Sequence, residues 1–273
     1  MKYLGRFLHP RKKITFYGLY DVGENLVYPI ESIFYPNITG TPFNFNHLHP
    51  ALCIEPRKII GIGKNYKSHV KEFDGNIPKE PIIFLKSNDS ITGPNEKIIL
   101  PEDIGQVDYE GEIAVVIGKV AEKISENTAL NYVLGYTCAN DVTARDLQKK
   151  DIQWARAKSF KTFCPVGPWI LPQKEFPKFN ELVLKTYVND KPVQQTKASS
   201  MIFSIPYLVS FVSQFIVLNP GDIILTGTPS GVGLLKRNYK VAVEVEQIGT
   251  LVNRVTGENK IKGNITTHEE LLV

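Results

Sequence analysis

The chain has 273 residues, 42% apolar and 22% charged, with a formal net charge of +4. These proportions belong to an ordinary folded protein with room for a sizeable core, and they exclude collagen-like and disordered classes. The 32 lysines and arginines are scattered, with no basic cluster and no nucleic-acid motif, so nucleic acid is not an expected partner.

Residues 1–50 alternate short β-rich pieces with turn residues, Ile14-Thr15-Phe16-Tyr17-Gly18 and then Asn25-Leu26-Val27-Tyr28-Pro29, and predict a small β domain. Tyr35 to Pro50, rich in Asn, Pro, Thr and His, reads as its linker. His47 and His49 lie there without further ligands nearby and are read as linker residues, not a metal site. A second unit, residues 51–273, opens with Lys58-Ile59-Ile60-Gly61-Ile62-Gly63, a short buried strand ending in glycines. Gly61-x-Gly63 lacks the third glycine of a dinucleotide fingerprint, and no phosphate-loop spacing follows. Asn65 to Phe73 predicts a short helix capped by Asn65, on which His69 and Glu72 share a face.

Pro81–Lys86 and Lys97–Leu100 read as strands, separated by a Gly93-Pro94-Asn95 turn. The run from Val107 to Lys119 carries Glu110 and Glu112 two apart and leads into β-branched residues. On a strand, positions i and i+2 face one side, so both carboxylates project together and repel unless a cation or a proton separates them. The pair is thus a candidate metal site; taken alone, it is also an exposed strand start with two solvated charges. Ser125–Val133 and Val142–Gln153 predict helices, and Leu134–Asp141 a strand ending at an acid. A strand at Val183–Asn189 runs into the hairpin signal Asn189-Asp190.

Met201–Leu218 is uncharged over 18 residues, but Ile205, Leu208, Val209, Val212, Phe215 and Ile216 recur at helical spacing opposite polar residues. That describes an amphipathic helix on a core, not a membrane span. Strands recur around Ile223 and from Lys240 to Val252. Strands outnumber helices without regular βαβ alternation, so the fold class is mostly β with some α. The start, Met1–Arg6, lacks the apolar core of a signal peptide, and Cys53, Cys138 and Cys164 show no CxxC spacing. Together these predict a cytoplasmic protein with reduced thiols and no membrane partner.

Five motifs occur in one order: Asn65-Tyr66-x-x-His69-x-x-Glu72; Glu110-x-Glu112; Asp141-x-Thr143-Ala144-Arg145-Asp146; Lys158-Ser159-Phe160; and Thr226-Gly227-Thr228-Pro229-x-Gly231-Val232-Gly233. This set resembles the fumarylacetoacetate hydrolase family over roughly residues 57 to 250. Ser199–Tyr207 is similar to the acylpyruvase and oxaloacetate decarboxylase members, and related 2-hydroxyhepta-2,4-diene-1,7-dioate isomerases share most of the motifs. The resemblance implies a β-roll catalytic domain peculiar to this family, in a homodimer, preceded here by the small β domain.

By the same resemblance Glu110, Glu112 and Asp141 hold one Mg²⁺ or Mn²⁺, which agrees with the preference of these ions for hard oxygen donors. His69 and Glu72 form a dyad in which the glutamate orients the histidine, and the histidine activates water or moves a proton. Lys158 supports an enolate or oxyanion. Arg145, Gln148 and Thr228 contact substrate carboxylate or keto oxygens. Read without the resemblance, Asp141 is a helix cap, His69 and Glu72 a solvated pair, Lys158 a surface cation, and Arg145 a partner of Asp141 or Asp146. Lys161 stands where many family members carry an acid, and it either lowers the pKa of Lys158 or points outward. The implied activity is metal-dependent cleavage of a carbon–carbon bond in a small dicarbonyl acid, as in an acylpyruvate hydrolase. Oxaloacetate-type decarboxylation, isomerisation of a hydroxydienedioate and non-catalytic metal or metabolite binding are the alternatives.

Overall fold

The computed structural model describes residues 1–73 and 75–258; residues 259–273, which the sequence reading places in the second unit, lie outside the described residues. The described residues form three sheets, of twelve, three and five strands, with four short α-helices. The fold is mostly β with some α.

The largest sheet is centred on Gly111–Ile117, buried along its whole length. It pairs antiparallel with Val133–Asn140 on one side and Ile223–Leu225 on the other. Ile223–Leu225 continues in parallel to Ile59–Gly63, and that strand to Ile82–Lys86. Side chains alternate across a strand, so one run of β-branched residues serves two cores. Ile113, Val115 and Ile117 pack into one cluster, Ala114 and Val116 into the opposite one. Beyond Val133–Asn140 the sheet runs through Cys164–Pro172 to the N-terminal strands Lys2–His9, Ile14–Asp21 and Leu26–Pro29. The five-stranded sheet carries the hairpin Val183–Val188 and Lys191–Lys197, whose turn holds Asn189 and Asp190 at φ 48° and 65°. Asn and Asp tolerate that left-handed backbone better than most residues.

Helices α1 (Lys67–Glu72), α2 (Arg145–Lys150) and α3 (Ala155–Lys158) are short. Helix α4 (Ile205–Ser213) buries Ile205, Leu208, Val209 and Val212 against the main core, as the spacing predicts. Ser204 caps it, accepting from the Tyr207 N–H at 3.2 Å. It ends before Phe215, because the Gln214 and Phe215 N–H groups bond three residues back and tighten the last turn; Phe215 is 71% exposed.

Several local readings differ from the outcome. Tyr35–Pro50 is not all linker: Phe43–Asn44 pairs with Leu26–Pro29, and His49–Ala51 with Lys2–His9. Ser125–Val133 gives a 3₁₀ turn at Glu126–Tyr132. The helix expected over Val142–Gln153 shrinks to α2, because Thr143–Ala144 pairs with Val107–Tyr109 and the Arg145 N–H bonds Gln106 O. The Asn65 side chain does not cap α1; Tyr66 occupies that position without a side-chain bond. The Asn65 carboxamide donates to Phe203 O and Thr226 O and accepts from the Phe203 N–H, tying three distant segments together. Long-range polar demand overrides local capping here.

Candidate metal centre and its cavity

The strand carrying Glu110 and Glu112 is interrupted at Glu110. Val107–Tyr109 belongs to the three-stranded sheet and Gly111–Ile117 to the large one, so Glu110 sits at the junction. Its N–H donates to Asn140 Oδ1 at 2.9 Å and its carbonyl accepts from the Asp141 N–H at 2.8 Å. The backbone thereby sets Asp141 beside Glu110, and a carboxylate oxygen from each of Glu110, Glu112 and Asp141 lies within 4.8 Å of the others. All three are buried.

Three buried cations offset these acids. Lys158, at the end of α3, places Nζ 2.8 Å from Glu110 Oε2 and 2.6 Å from Asp141 Oδ2. Lys86, at the end of its strand, reaches Asp141 Oδ1 at 2.5 Å. Arg145, opening α2, pairs Nε with Asp108 Oδ2 at 2.8 Å and Nη2 with Glu110 Oε1 at 2.5 Å. Its Nη1 donates to Gln148 Oε1, so Gln148 and Arg145 meet side by side. Arg145 pairs with neither Asp141 nor Asp146 among the described residues; Asp146 accepts the Gln106 N–H. Lys161 is exposed, whereas Lys86 is the second buried lysine of the site.

The charges divide unevenly. Burial opposes ionisation of Glu110, but Lys158 and Arg145 outweigh it and hold the carboxyl well below its ordinary range. Burial also pushes against a charged Lys158, yet Asp141 and Glu110 keep its ammonium protonated above the usual lysine value. Glu112 goes the other way: burial, then the charges of Asp141 and Glu110, raise it well above the carboxylate range. Among the described residues no lysine or arginine pairs with Glu112; its Oε2 accepts the Gly227 N–H at 2.6 Å. Two buried acids with cations and a third without one form a cluster that could hold a divalent ion. Each carboxylate oxygen has two lone pairs, so the bonds to Lys158, Lys86 and Arg145 leave a donor free for the ion. Three hard oxygen ligands fit Mg²⁺ or Mn²⁺.

A cavity of about 190 Å³ opens on this cluster, lined also by His69, Phe73, Phe84, Trp154 and Thr228. His69 on α1 turns Nδ1 toward Glu72 Oε2 at 3.3 Å, which leaves Nε2 available to the cavity. Glu72 Oε1 accepts the Gly231 N–H at 2.9 Å, so the glutamate is held from two sides. The Phe73 ring stacks edge-on to His69 at 5.1 Å and lies 5.2 Å from the Arg145 guanidinium. Phe84 lies 5.0 Å from Lys158 Nζ, and Trp154 packs against Phe84. The Thr228 hydroxyl donates to Gly111 O and accepts from Gln194 Nε2, each at 2.9 Å. Eight of the nine site residues singled out in the sequence line this cavity, and the ninth, Glu72, reaches it through its bond to His69. Sequence reasoning missed Lys86, Asp108 and Gln194, each of which ends or interrupts a strand pattern in a way indistinguishable from a solvent-facing polar residue.

Residues 58–256 match the family model described as fumarylacetoacetate (FAA) hydrolase C-terminal. The chain belongs to the fumarylacetoacetate hydrolase family. It is 42% identical over 213 residues to oxaloacetate tautomerase Fahd2a of Rattus norvegicus, covering 75% of this chain and 68% of that protein. Among solved structures, 5-carboxymethyl-2-hydroxymuconate delta-isomerase from Mycobacterium smegmatis superposes with a TM-score of 0.85 at 40% identity, over 95% of this chain and 100% of that one. The 2-hydroxyhepta-2,4-diene-1,7-dioate isomerase from Mycobacterium marinum matches equally well in shape, with a TM-score of 0.85 at 38% identity, over 95% of this chain and 100% of that one. The acidic triad thus lies in the part of the chain that the family model covers. Among the described residues no helix is long and apolar enough to cross a membrane.

Proposed function

We propose that the chain is a Mg²⁺- or Mn²⁺-dependent enzyme that moves a proton next to the carbonyl of a small 2-oxo acid, interconverting keto and enol forms. One observation carries this reading: His69, backed by Glu72, lines the same small cavity as the Glu110–Glu112–Asp141 cluster. A divalent ion held by the three acids supplies a Lewis acid for a 2-oxo carboxylate. Glu72 fixes the His69 tautomer with Nδ1 engaged, so Nε2 is the atom that accepts a proton from the substrate carbon and returns it. Lys158 uses two of its three N–H donors on Glu110 and Asp141, and the third is free to support a developing enolate oxygen. Phe73, Phe84 and Trp154 keep the cavity apolar around the reacting carbon. The names of two relatives, an oxaloacetate tautomerase and a 2-hydroxyhepta-2,4-diene-1,7-dioate isomerase, favour it.

A second reading is hydrolytic cleavage of an acylpyruvate-type dicarbonyl acid, or decarboxylation of oxaloacetate. The two-sided support of Glu72 favours the hydrolytic form, because a histidine that deprotonates water needs a fixed, carboxylate-backed ring. A homodimer belongs to the same reading and is measured by light scattering.

Purified protein with Mg²⁺ or Mn²⁺ is to be offered enol-oxaloacetate, acetylpyruvate, fumarylpyruvate and a hydroxydienedioate. Faster decay of the enol absorbance without pyruvate release supports the tautomerase. Release of pyruvate from an acylpyruvate selects the hydrolase, and loss of CO₂ from oxaloacetate the decarboxylase. Bound metal with turnover of none of the four leaves a binding protein and ends the enzyme reading.

A further inference from the structure

Gln194 lies on the Lys191–Lys197 strand of the five-stranded sheet, outside the cavity and far in sequence from every ligand. It is 3% exposed, and all three of its side-chain bonds converge on the metal strand or the loop beside it. Oε1 accepts the Gly111 N–H at 3.0 Å. Nε2 donates to Thr228 Oγ1 at 2.9 Å and to Pro229 O at 3.0 Å. Thr228 Oγ1 in turn donates to Gly111 O at 2.9 Å. The ring is closed: Gly111 N–H to Gln194, Gln194 to Thr228, Thr228 back to the Gly111 carbonyl.

Chemistry dictates every direction in that ring. A backbone N–H only donates and a backbone carbonyl only accepts, so the carboxamide has one allowed orientation and the Thr228 hydroxyl one allowed rotor. Gly111 is also the residue between the two glutamate ligands, and its lack of a side chain is what admits the ring. A Cβ there would stand 2.0 Å from Thr186 Oγ1 and 3.1 Å from Gln194 Oε1.

We infer that Gln194 is a positioning residue for the metal centre, acting with Thr228 to lock the Gly111 peptide so that Glu110 and Glu112 converge on one ion. The inference rests on the metal-dependent reading above. Groups that orient metal ligands without touching the metal typically change affinity about 10–100-fold when removed.

The test titrates Mn²⁺ against the full chain without substrate, following loss of the free-ion resonance signal. Fold integrity is checked in parallel by circular dichroism and urea unfolding. Gln194→Met keeps the side-chain volume and removes all three bonds; Thr228→Val opens the ring from the other side; Thr228→Ser keeps the hydroxyl. The expected result is Mn²⁺ binding roughly tenfold weaker or worse in folded Gln194→Met and Thr228→Val, with Thr228→Ser close to wild type. The double variant Gln194→Met/Thr228→Val should lose no more than either single one, because a ring is broken once. If one single variant does not fold, the other carries the comparison with Thr228→Ser. Wild-type affinity in a folded variant, or losses that multiply in the double, overturns the ring. Absence of Mn²⁺ binding by the wild type overturns the metal reading as well, which separates the two failures.

Discussion

Glu112 Oε2 and the Gly227 N–H lie 2.6 Å apart, and this single backbone bond is what the protein offers the one acid of the triad that has no lysine or arginine beside it among the described residues. In the metal-free protein Glu112 meets the charges of Asp141 and Glu110 in a buried site. Glu112→Gln keeps an oxygen for the Gly227 N–H and removes the ionisable group whose charged form burial, Asp141 and Glu110 disfavour. It should therefore raise the melting temperature in EDTA while abolishing the stabilisation that Mn²⁺ gives the wild type. Thermal melts with and without metal decide this; undiminished Mn²⁺ stabilisation in the variant removes Glu112 from the ligand set.

Gly227 sits at φ +97°, and a Cβ on it would approach the Asn65 Cβ to 2.8 Å. The peptide linking Thr226 to Gly227 is held at both ends, its carbonyl by Asn65 Nδ2 at 2.8 Å and its N–H by Glu112. Gly227→Ala adds left-handed strain of roughly 1–2 kcal/mol and displaces that peptide. Urea unfolding should show at least this loss, together with weaker metal binding. A variant with wild-type stability shows that the loop relaxes freely.

Lys86 and Lys161 make a matched pair for a stability test. Lys86 is completely buried against Asp141, whereas Lys161 is exposed. Lys86→Met leaves Asp141 with Lys158 as its remaining buried cation and should cost about 1–3 kcal/mol. Lys161→Ala should change stability by less than about 0.5 kcal/mol, as is usual for an exposed side chain. Similar urea midpoints for the two variants contradict the assignment of Lys86 to the site.

The three cysteines are free and buried, and burial is the largest cause pushing the thiols of Cys53, Cys138 and Cys164 up to about 12. A raised thiol pKa keeps the neutral, unreactive form through neutral and mildly alkaline pH. Ellman's reagent at pH 8 should label none of the three in the folded protein and all three in denaturant. Rapid labelling of the native chain would show that one of these thiols is accessible.

Much of the framework is legible in the chain itself. The period-two run after Glu112 marks the central strand, and the spacing of Ile205, Leu208, Val209 and Val212 marks α4, because burial on one face or both leaves a repeating apolar pattern. The three acids and the His69–Glu72 pair, which the structure brings close together, were singled out through the order of their motifs. Asn65 was misread because a polar residue before a helix has the same sequence signature whether it caps the helix or reaches across the molecule. The helix expected from Val142 stopped short because its first residues hydrogen-bond to the strand at Val107–Tyr109, a competitor that no local window contains.

By itself, the sequence determined the set of donors: three carboxylates and a histidine–glutamate pair carry their donor properties wherever they are placed. Only the tertiary structure decided how those charges are shared out. Lys86 meets Asp141 across 55 residues, Arg145 meets Glu110 across 35, and Gln194 closes its ring on Gly111 across 83. Side-chain chemistry is local, but the neutralisation of a buried charge depends on which distant segments the packed sheets bring within a few ångströms of it. That is why Glu110 is held ionised while Glu112 is left without a lysine or arginine partner among the described residues.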